Sequence, residues 1–404
     1  MKLQRTVFLS FLVFLSLAIA SQNALAKPVG KAKMVLGKVL LQSANGQQKR
    51  FRRGNPVNIG DIIITNKRSQ AQLVMIDGSN ISVRPDTQFQ VEEFVATGDV
   101  DKDKTNYSLL KGGFRSVTGS IGKKNKASFQ LKTPVATMGI RGTDFTSKYC
   151  DGECLKLPGA KKGLFVDVIS GGVSLSNEGG TYNLTPKTNG YVADRKKKPG
   201  KIGKLPDNLL SPRAKKGERK RYPSPEQELV QISTFVAPEL KEEIIEEATA
   251  AGVPTKLIIQ GASSGGLRNE EIVPSILESG KRHGKSPNDL IRSILESGVG
   301  SEEIVEQLMA QNPSAATGIL TSAIASGKVN INRLRRHANR MGISDEDVRG
   351  AEALGNMLSV PDELKDILED AQGSQDTGSE NSGGGLNSRE LVPKSNTQTV
   401  ASPS

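Results

Sequence analysis

The sequence contains few of the side chains that most often carry out chemistry. Its 404 residues include two histidines, two cysteines and no tryptophan, and aromatic residues make up 4%. Two cysteines cannot staple a chain of this length, so hydrophobic cores must hold it together. A structural zinc site takes four ligands, and His283 and His337 lie far along the chain from Cys150 and Cys154. We therefore expect no metal, no cofactor and no enzymatic activity.

Long hydrophobic runs are also scarce, and the clearest one lies at the N-terminus. Lys2 and Arg5 precede an apolar run at 7–20, which is shorter than the ~20 residues that a membrane span needs. Small residues follow, and we expect a secretory signal at 1–26 that is cleaved between Ala26 and Lys27. An uncleaved membrane anchor is the alternative interpretation. The protein is thus predicted to be periplasmic or secreted, without a further transmembrane segment.

The two cysteines are predicted to form a disulfide. Export would place them in an oxidising compartment. Cys150 and Cys154, in the string CDGEC, are the only available pair and would close one small loop. Their spacing differs from the C-x-x-C of thiol redox proteins, so a structural bond is the preferred interpretation.

Charge changes sign along the chain. Residues 1–193 carry 27 Lys and Arg against 13 Asp and Glu, and residues 194–222 carry 12 against 3. Residues 223–404 carry 16 against 27. A basic half and an acidic half suggest at least two independent units with different partners. Either the basic half attracts anionic envelope surfaces, or the acidic half folds back and neutralises it.

Residues 27–193 alternate apolar and polar side chains with a period of two, which is typical of half-buried strands. Turn residues recur between these segments, as in DG at Asp77 and GG at Gly112. Many short strands with regular turns predict an all-β barrel, sandwich or solenoid. The residues expected on the alternating faces are Ala71, Leu73, Met75, Ile81, Val83, Phe89, Val91, Phe129, Leu131, Val166, Val168, Val173 and Leu175.

An ordered set of motifs in this region resembles the FecR domain family. The motifs are GD at Gly60–Asp61, DG at Asp77–Gly78, and TPVATMGIRGTDF at 133–145. The resemblance covers about residues 35–192 and implies a β-rich periplasmic domain that coils as a β-helix or solenoid. The best-known members are membrane-spanning regulators that carry iron-siderophore signals from an outer-membrane transporter to a sigma factor. No cytoplasmic anti-sigma segment precedes the apolar run here, so direct sigma-factor control is not expected.

Within the third motif, the resemblance implies that Gly139, Gly142 and Thr143 fix a tight bend. Glycine is needed where the backbone has a positive φ or approaches another chain segment closely. Arg141 has two interpretations. It is either a structural arginine, which ties turn carbonyls together or lies on the surface, or a ligand-binding arginine. The structural interpretation is preferred.

The rest of the chain divides by composition into three segments. Residues 194–228 are rich in Lys, Arg, Pro and Gly, and are predicted to be a disordered or extended basic linker. This linker either adheres to an anionic surface or is a soluble tether. Residues 229–370 have helical periodicity and predict an all-α helical repeat or irregular bundle. Residues 371–404 are predicted to be a disordered tail.

Three functions follow in order of preference. The first is an exported, non-enzymatic binding or scaffold protein of the bacterial envelope, whose partner is an envelope protein or an anionic glycan or membrane surface. The second is a component of periplasmic signalling of the iron-transport type, and the third is an enzyme acting on cell-wall polymers. Nucleic-acid binding is not expected, because aromatics are scarce in the basic linker and the chain is exported. The sequence leaves the oligomeric state open.

Overall fold

The computed structural model describes residues 27–210, 223–297, 302–327 and 329–358. The predicted signal sequence and the predicted tail lie outside these residues, and Lys27 is the first residue described. No helix in the described ranges is long and apolar enough to cross a membrane. We call residues 27–210 the β half, and the described residues from 223 onward the helical half.

The β half contains seventeen strands. They are β1 (Gly30–Leu36), β2 (Val39–Gln42), β3 (Gln48–Arg50), β4 (Pro56–Val57), β5 (Ile62–Thr65), β6 (Gln70–Met75), β7 (Asn80–Val83), β8 (Gln88–Val95), β9 (Lys104–Val117), β10 (Phe129–Lys132), β11 (Thr137–Ile140), β12 (Asp144–Cys150), β13 (Gly163–Ser170), β14 (Val173–Asn177), β15 (Gly180–Leu184), β16 (Asn189–Val192) and β17 (Gly200–Ile202). They form one connected network that is not closed.

The strands lie in two layers that share β9. Layer A has the order β4-β1-β6-β7-β9-β12-β13-β16-β17, and layer B has the order β3-β2-β5-β8-β9-β10-β11-β14-β15. Strand β9 pairs in layer B up to Lys111 and in layer A from Gly112. Gly112 has a φ of +79°, and a Cβ there would collide with the backbone of Asp86. Glycine therefore permits the passage of β9 between layers.

The predicted β-helix or solenoid is wrong. Every strand pairing in the described chain is antiparallel except that of β9 with β10, whereas the parallel β-helix stacks its strands in one direction. Short turns such as Asp77–Gly78 return the chain directly to the neighbouring strand. Such turns produce antiparallel hairpins, because a parallel pair needs a long crossover.

One hydrophobic core lies between the layers and contains all thirteen apolar residues that the strand alternation singled out. Five aromatic rings join the two sides of this core. Phe89, Tyr107 and Phe129 come from layer B, and Phe114 and Phe145 come from layer A. Neighbouring ring centroids are 5.2 to 6.4 Å apart, which is the spacing of favourable aromatic pairs.

Ten α-helices are described. They are α1 (Ser120–Lys124), α2 (Pro225–Val236), α3 (Lys241–Ala250), α4 (Thr255–Ser264), α5 (Asn269–Arg282), α6 (Pro287–Glu296), α7 (Glu302–Gln311), α8 (Ala316–Ala325), α9 (Ile331–Arg340) and α10 (Asp345–Leu358). In one row α2 packs on α4, α4 on α6, α6 on α8 and α8 on α10. On the other side α3 packs on α5, and α7 packs on α9. The short amphipathic helices thus cover one another's apolar faces by stacking.

Parts of the predicted linker at 194–228 are folded. Strand β17 pairs with β16, and the leucines at 209–210 are buried against Cys150. Helix α2 begins at Pro225, inside the predicted linker. The expectation of a disordered or extended segment is therefore wrong for these residues, because apolar side chains among the lysines find a buried surface. Residues 211–222 lie outside the described chain.

The helical half packs on the outer side of layer A, so the two halves are not separate bodies. Met34 and Leu36 of β1 belong to the helical core, whereas Ala32 belongs to the core between the layers. The strand pairing shifts register between Ala32 and Met34, which turns the later side chains outward. Helix α2 lies against β6 and β7, and α3 lies against β1.

Candidate functional site on the outer face of layer A

A buried ionic cluster joins helix α2 to layer A. Arg84 Nη2 donates to Glu228 Oε1 at 2.8 Å, and Arg115 Nη1 donates to Glu228 Oε2 at 2.9 Å. Arg115 also donates to both carboxylate oxygens of Asp144, at 2.9 and 2.7 Å. The side chains of Arg84, Arg115 and Glu228 are at most 5% exposed. The two buried guanidinium groups are thus held by the carboxylates of Glu228 and Asp144, and the charge of the Asp167 carboxylate also acts on Arg84.

The electrostatics of the cluster depend on α2. Burial lowers the pKa of Arg84, the carboxylate of Glu228 opposes this, and the charge of Arg115 adds to it. Burial also acts to lower the pKa of Arg115, but hydrogen bonds and charges from Asp144 and Glu228 outweigh it, so that pKa is raised. Arginine stays charged in proteins. Without Glu228, both buried guanidinium groups would lose the buried carboxylate that they share, which is strongly unfavourable.

Polar contacts continue on both sides of the cluster. Glu226 accepts from Lys33 Nζ at 2.8 Å and from Gln72 Nε2 at 3.4 Å. Burial acts to raise the pKa of Glu226, but the hydrogen bond from Lys33 lowers it overall. Further along α2, Gln70 Nε2 donates to Ser233 Oγ at 2.6 Å. The outward polar side chains of β1 and β6 thus find partners on one helix face.

The rim of the contact is also charged. The backbone N–H of Val35 donates to Glu247 Oε1 at 3.0 Å, and Arg68 Nη1 donates to Glu239 Oε1 at 2.6 Å. In the described residues, every ion pair between the halves has its cation in the β half and its anion in the helical half. The acidic half therefore folds back on the basic half, which is one of the two expectations from the charge pattern.

The third sequence motif forms the bend between β11 and β12. Gly142 has a φ of +60°. The buried Thr143 hydroxyl donates to Gly172 O at 2.7 Å and accepts from the N–H groups of Arg141 and Gly172 at 3.1 and 3.2 Å. The Thr143 N–H donates to Thr118 Oγ1 at 3.0 Å. Thr143 therefore ties the bend to the end of β9 and to the β13–β14 turn.

Gly139 and Arg141 lie outside the tight part of this bend. Gly139 is within strand β11, and no heavy atom lies within 4 Å of the position of a Cβ there. The backbone at Gly139 therefore has no need of glycine. Arg141 is exposed, and within the described chain its guanidinium forms no hydrogen bond or ion pair. It lies on the surface, and its role stays a prediction.

The two shorter motifs form turns on either side of β5 and β6. The glycine before Asp61 has a φ of +87°, and Gly78 has a φ of +80°. Asp61 is buried, which raises its pKa, while its hydrogen bond from the Asn58 N–H, at 2.8 Å, opposes the shift. The Asp77 carboxylate accepts from the N–H and the hydroxyl of Ser79 at 2.9 and 2.8 Å. Both aspartate carboxylates therefore stabilise their turns by accepting hydrogen bonds from backbone N–H groups.

Cys150 and Cys154 form the predicted disulfide. Beside it lies a groove of about 220 Å³, at the point where β9 passes between the layers. Its walls include Lys111, Lys148 and Glu153. The groove opens on the same side of layer A as the ionic cluster, beyond the area that α2 covers.

The histidines lie in the helical half and pair with glutamates. His283 Nε2 is 2.7 Å from Glu246 Oε1, and His337 Nδ1 is 3.9 Å from Glu306 Oε2. Among the residues that the structure describes, no group of three or more His, Cys, Asp or Glu side chains is arranged to hold a metal ion. These contacts join one helix to another.

Sequence reasoning assigned the first four residues of helix α2 to the linker and missed the cluster that Glu228 completes, although local signals were present. Ser224 caps the helix by accepting from the Gln227 N–H at 3.2 Å, and Pro225 occupies the first turn. Glu226 and Glu228 favour the helix N-terminus. The basic composition of the preceding residues concealed these signals.

A comparison with protein-family models agrees with the motif analysis. Residues 61–174 match the family model described as FecR protein, which confirms the FecR resemblance over these residues. No curated protein matches the sequence. Two crystal structures of a protein described as an anti-sigma factor from Parabacteroides distasonis ATCC 8503 are each 17% identical, with a TM-score of 0.28. The match covers 35% of this chain and 58% of theirs, which is less than two thirds of their length. A cell surface anchoring domain is 24% identical with a TM-score of 0.15, over 16% of this chain and 83% of its own.

Proposed function

We propose that this protein, which matches the FecR family at residues 61–174, is an exported, non-enzymatic binding or scaffold protein of the bacterial envelope. The β half contacts an envelope protein or glycan, and the stacked helices add a second interaction surface. The proposal rests on what the outer face of layer A binds. This face already holds an acidic helix through buried arginine–carboxylate pairs.

The chemistry of that face is suited to macromolecular recognition. Arginine presents several N–H donors in a fixed geometry, so it recognises carboxylates with a defined orientation. Arg115 does this towards Asp144 and Glu228 at once. The docked helices complete a scaffold whose remaining surface is free for a partner. Residues 27–193 contain 25 Lys and Arg against 13 Asp and Glu, and this net charge of +12 then steers anionic partners towards the β half.

A second candidate function is periplasmic signalling, which the FecR match favours. In that function the protein receives a signal from the periplasmic domain of an outer-membrane transporter and passes it to a separate membrane protein. The two candidates differ in the partner, since signalling requires a transporter domain.

Capture from envelope extract tests the proposal. Residues 27–404 are immobilised and washed at about 0.15 M salt, where the Debye length is about 8 Å, and again at higher salt. We expect one envelope component that is retained at 0.15 M salt and binds again after purification. If that component is a transporter domain, the result favours the signalling function. Retention of bulk anionic polymer that is lost as salt rises, or retention of nothing, contradicts a specific partner.

A further inference from the structure

The groove beside the disulfide continues the face that binds helix α2. Along β12, Asp144 accepts from Arg115, and Thr146 Oγ1 accepts from Arg84 Nη2 at 3.3 Å. Lys148 follows Thr146 by two residues, so the two side chains lie on the same side of the strand. Lys148 lines the groove. The row of polar side chains therefore runs from the buried cluster into the open groove.

Lys148 differs from Lys67 and Lys111, which also line the groove, because it forms no ion pair with a described residue. Within the described residues, no carboxylate lies within ion-pair distance of its ammonium and no acceptor lies within hydrogen-bonding distance. The side chain is half-buried, and burial and the charge of Arg84 lower its pKa, while the charge of Asp86 in the same groove opposes this shift. A partly buried ammonium without a protein acceptor gives up part of its hydration and gains no hydrogen bond in return. The site thus has a preformed cation that lacks an anion.

The other charged side chains that line the groove have neighbours of their own, and burial together with the Asp151 carboxylate raises the pKa of Tyr149. Lys111 Nζ lies 2.7 Å from Asp86 Oδ1, and Lys67 Nζ lies 3.6 Å from Glu153 Oε1. Lys148 is therefore the group of this groove that is left to receive an anion.

The size of the groove limits the ligand. Pockets for drug-sized ligands and cofactors measure about 300–1,000 Å³. At about 220 Å³ this groove is smaller. It accommodates one side chain or a comparable group rather than a whole cofactor. The protein itself shows which ligand group suits this face of layer A. Next to the groove, Arg84 and Arg115 of the same face bind the carboxylate of Glu228.

We propose that the groove binds an aspartate or glutamate side chain of a partner protein, with Lys148 as its ion-pair partner. This inference rests on the proposed binding function and specifies the chemistry of the partner segment. The partner thus presents an acidic segment next to helix α2, and extends the row of carboxylates that α2 begins.

Fluorescence anisotropy of residues 27–404 with fluorescein-labelled hexaglutamate tests the inference at about 0.15 M salt. We expect Lys148→Gln to weaken binding about tenfold or more, because a charge-assisted hydrogen bond is lost. Lys148→Arg should retain most of the binding. The matched control is Lys38→Gln, an exposed lysine with the same loss of charge, which should change binding by less than about twofold. Hexaglutamine should not compete.

Three outcomes overturn the inference. If Lys148→Gln and Lys38→Gln weaken hexaglutamate binding equally, the peptide is attracted by the general positive charge and not by the groove. Lys148-dependent binding of an oligogalacturonate, without binding of hexaglutamate, assigns the groove to a glycan. If hexaglutamate does not bind but one specific envelope protein is captured, this inference is wrong and the proposed function is retained. Absence of both contradicts the proposed function as well.

A stability measurement separates binding from a structural role. Lys148→Met keeps the length of the side chain and removes the unpaired ammonium. We expect its Tm without ligand to be unchanged or raised, since binding sites often sacrifice stability for function. A clear fall in Tm means that the ammonium stabilises the fold, and contradicts the assignment of Lys148 to a ligand.

Discussion

At the scale of single residues, burial decides which charges matter. Glu228 and Arg115 are almost fully buried and 2.9 Å apart, whereas Arg68 and Glu239 form a shorter ion pair, at 2.6 Å, with side chains 69% and 49% exposed. Exposed pairs contribute little, because water competes and the side chains lose freedom. A buried charge that loses its partner is costly. The cluster around Glu228 should therefore dominate the attachment of the helical half.

Glu228→Ala should destabilise the protein by about 3–5 kcal/mol, because it leaves two buried guanidinium groups without one of their carboxylates. Glu239→Ala is the matched control and should cost about 0–1 kcal/mol. Urea unfolding followed by circular dichroism measures both, since the chain contains no tryptophan for fluorescence. Similar small effects of the two variants are incompatible with a dominant cluster.

Gly142→Ala should destabilise the β half by about 1–2 kcal/mol, because an alanine at a φ of +60° is strained. Gly139→Ala is the control, since Gly139 is in a strand and has open space around it. Its effect should stay within about 0.5 kcal/mol. Urea unfolding compares the two variants. If Gly139→Ala lowers the free energy of unfolding more than Gly142→Ala does, the account of the bend is contradicted.

At the scale of strands and helices, the sequence predicts faces better than it predicts partners. The period of two identified thirteen core residues of the β half correctly, because alternation along a strand depends only on local geometry. It carried no information on which strand pairs with which, so barrel, sandwich and solenoid all stayed open, and the solenoid that the resemblance implied was wrong. Glu228 could not be assigned to Arg84 and Arg115 for the same reason, since their contact joins distant segments.

Helix-to-helix contacts should respond to acid. Lys241 of α3 donates to Glu271 of α5 at 3.0 Å, and the N–H of Arg268 also donates to it. These bonds lower the pKa of Glu271 from 4.5 to about 2. A depressed carboxyl pKa stabilises the folded state above the unfolded pKa, and this contribution is lost as pH falls through the folded value.

Glu271→Gln should therefore lower Tm near pH 6, and the difference from the natural protein should shrink as pH falls from about 4.5 towards 2. The exposed neighbour Glu270 provides the control variant Glu270→Gln. Thermal melts by circular dichroism at several pH values measure the effect. A difference in Tm that stays constant over this range contradicts the role of the Glu271 charge.

At the scale of the whole molecule, opposite net charges and a shared core make one body of two halves. The β half supplies every cation and the helical half every anion of the ion pairs described between them. Met34 and Leu36 add apolar contacts from β1. The change in the sign of the net charge along the sequence predicted attraction between the two halves as one of two outcomes. Composition alone indicated two separate units.

Cleavage of the connection between the halves tests this account most directly. A specific protease site is placed within residues 211–222, the purified protein is cut there, and the products are separated by size-exclusion chromatography at about 0.15 M and 1 M salt. Buried charge pairs are screened by salt much less than exposed ones, and the apolar contacts do not depend on screening. The two fragments should therefore elute together at both salt concentrations. Separate elution of the fragments at 0.15 M salt would contradict the docking of the helical half on layer A.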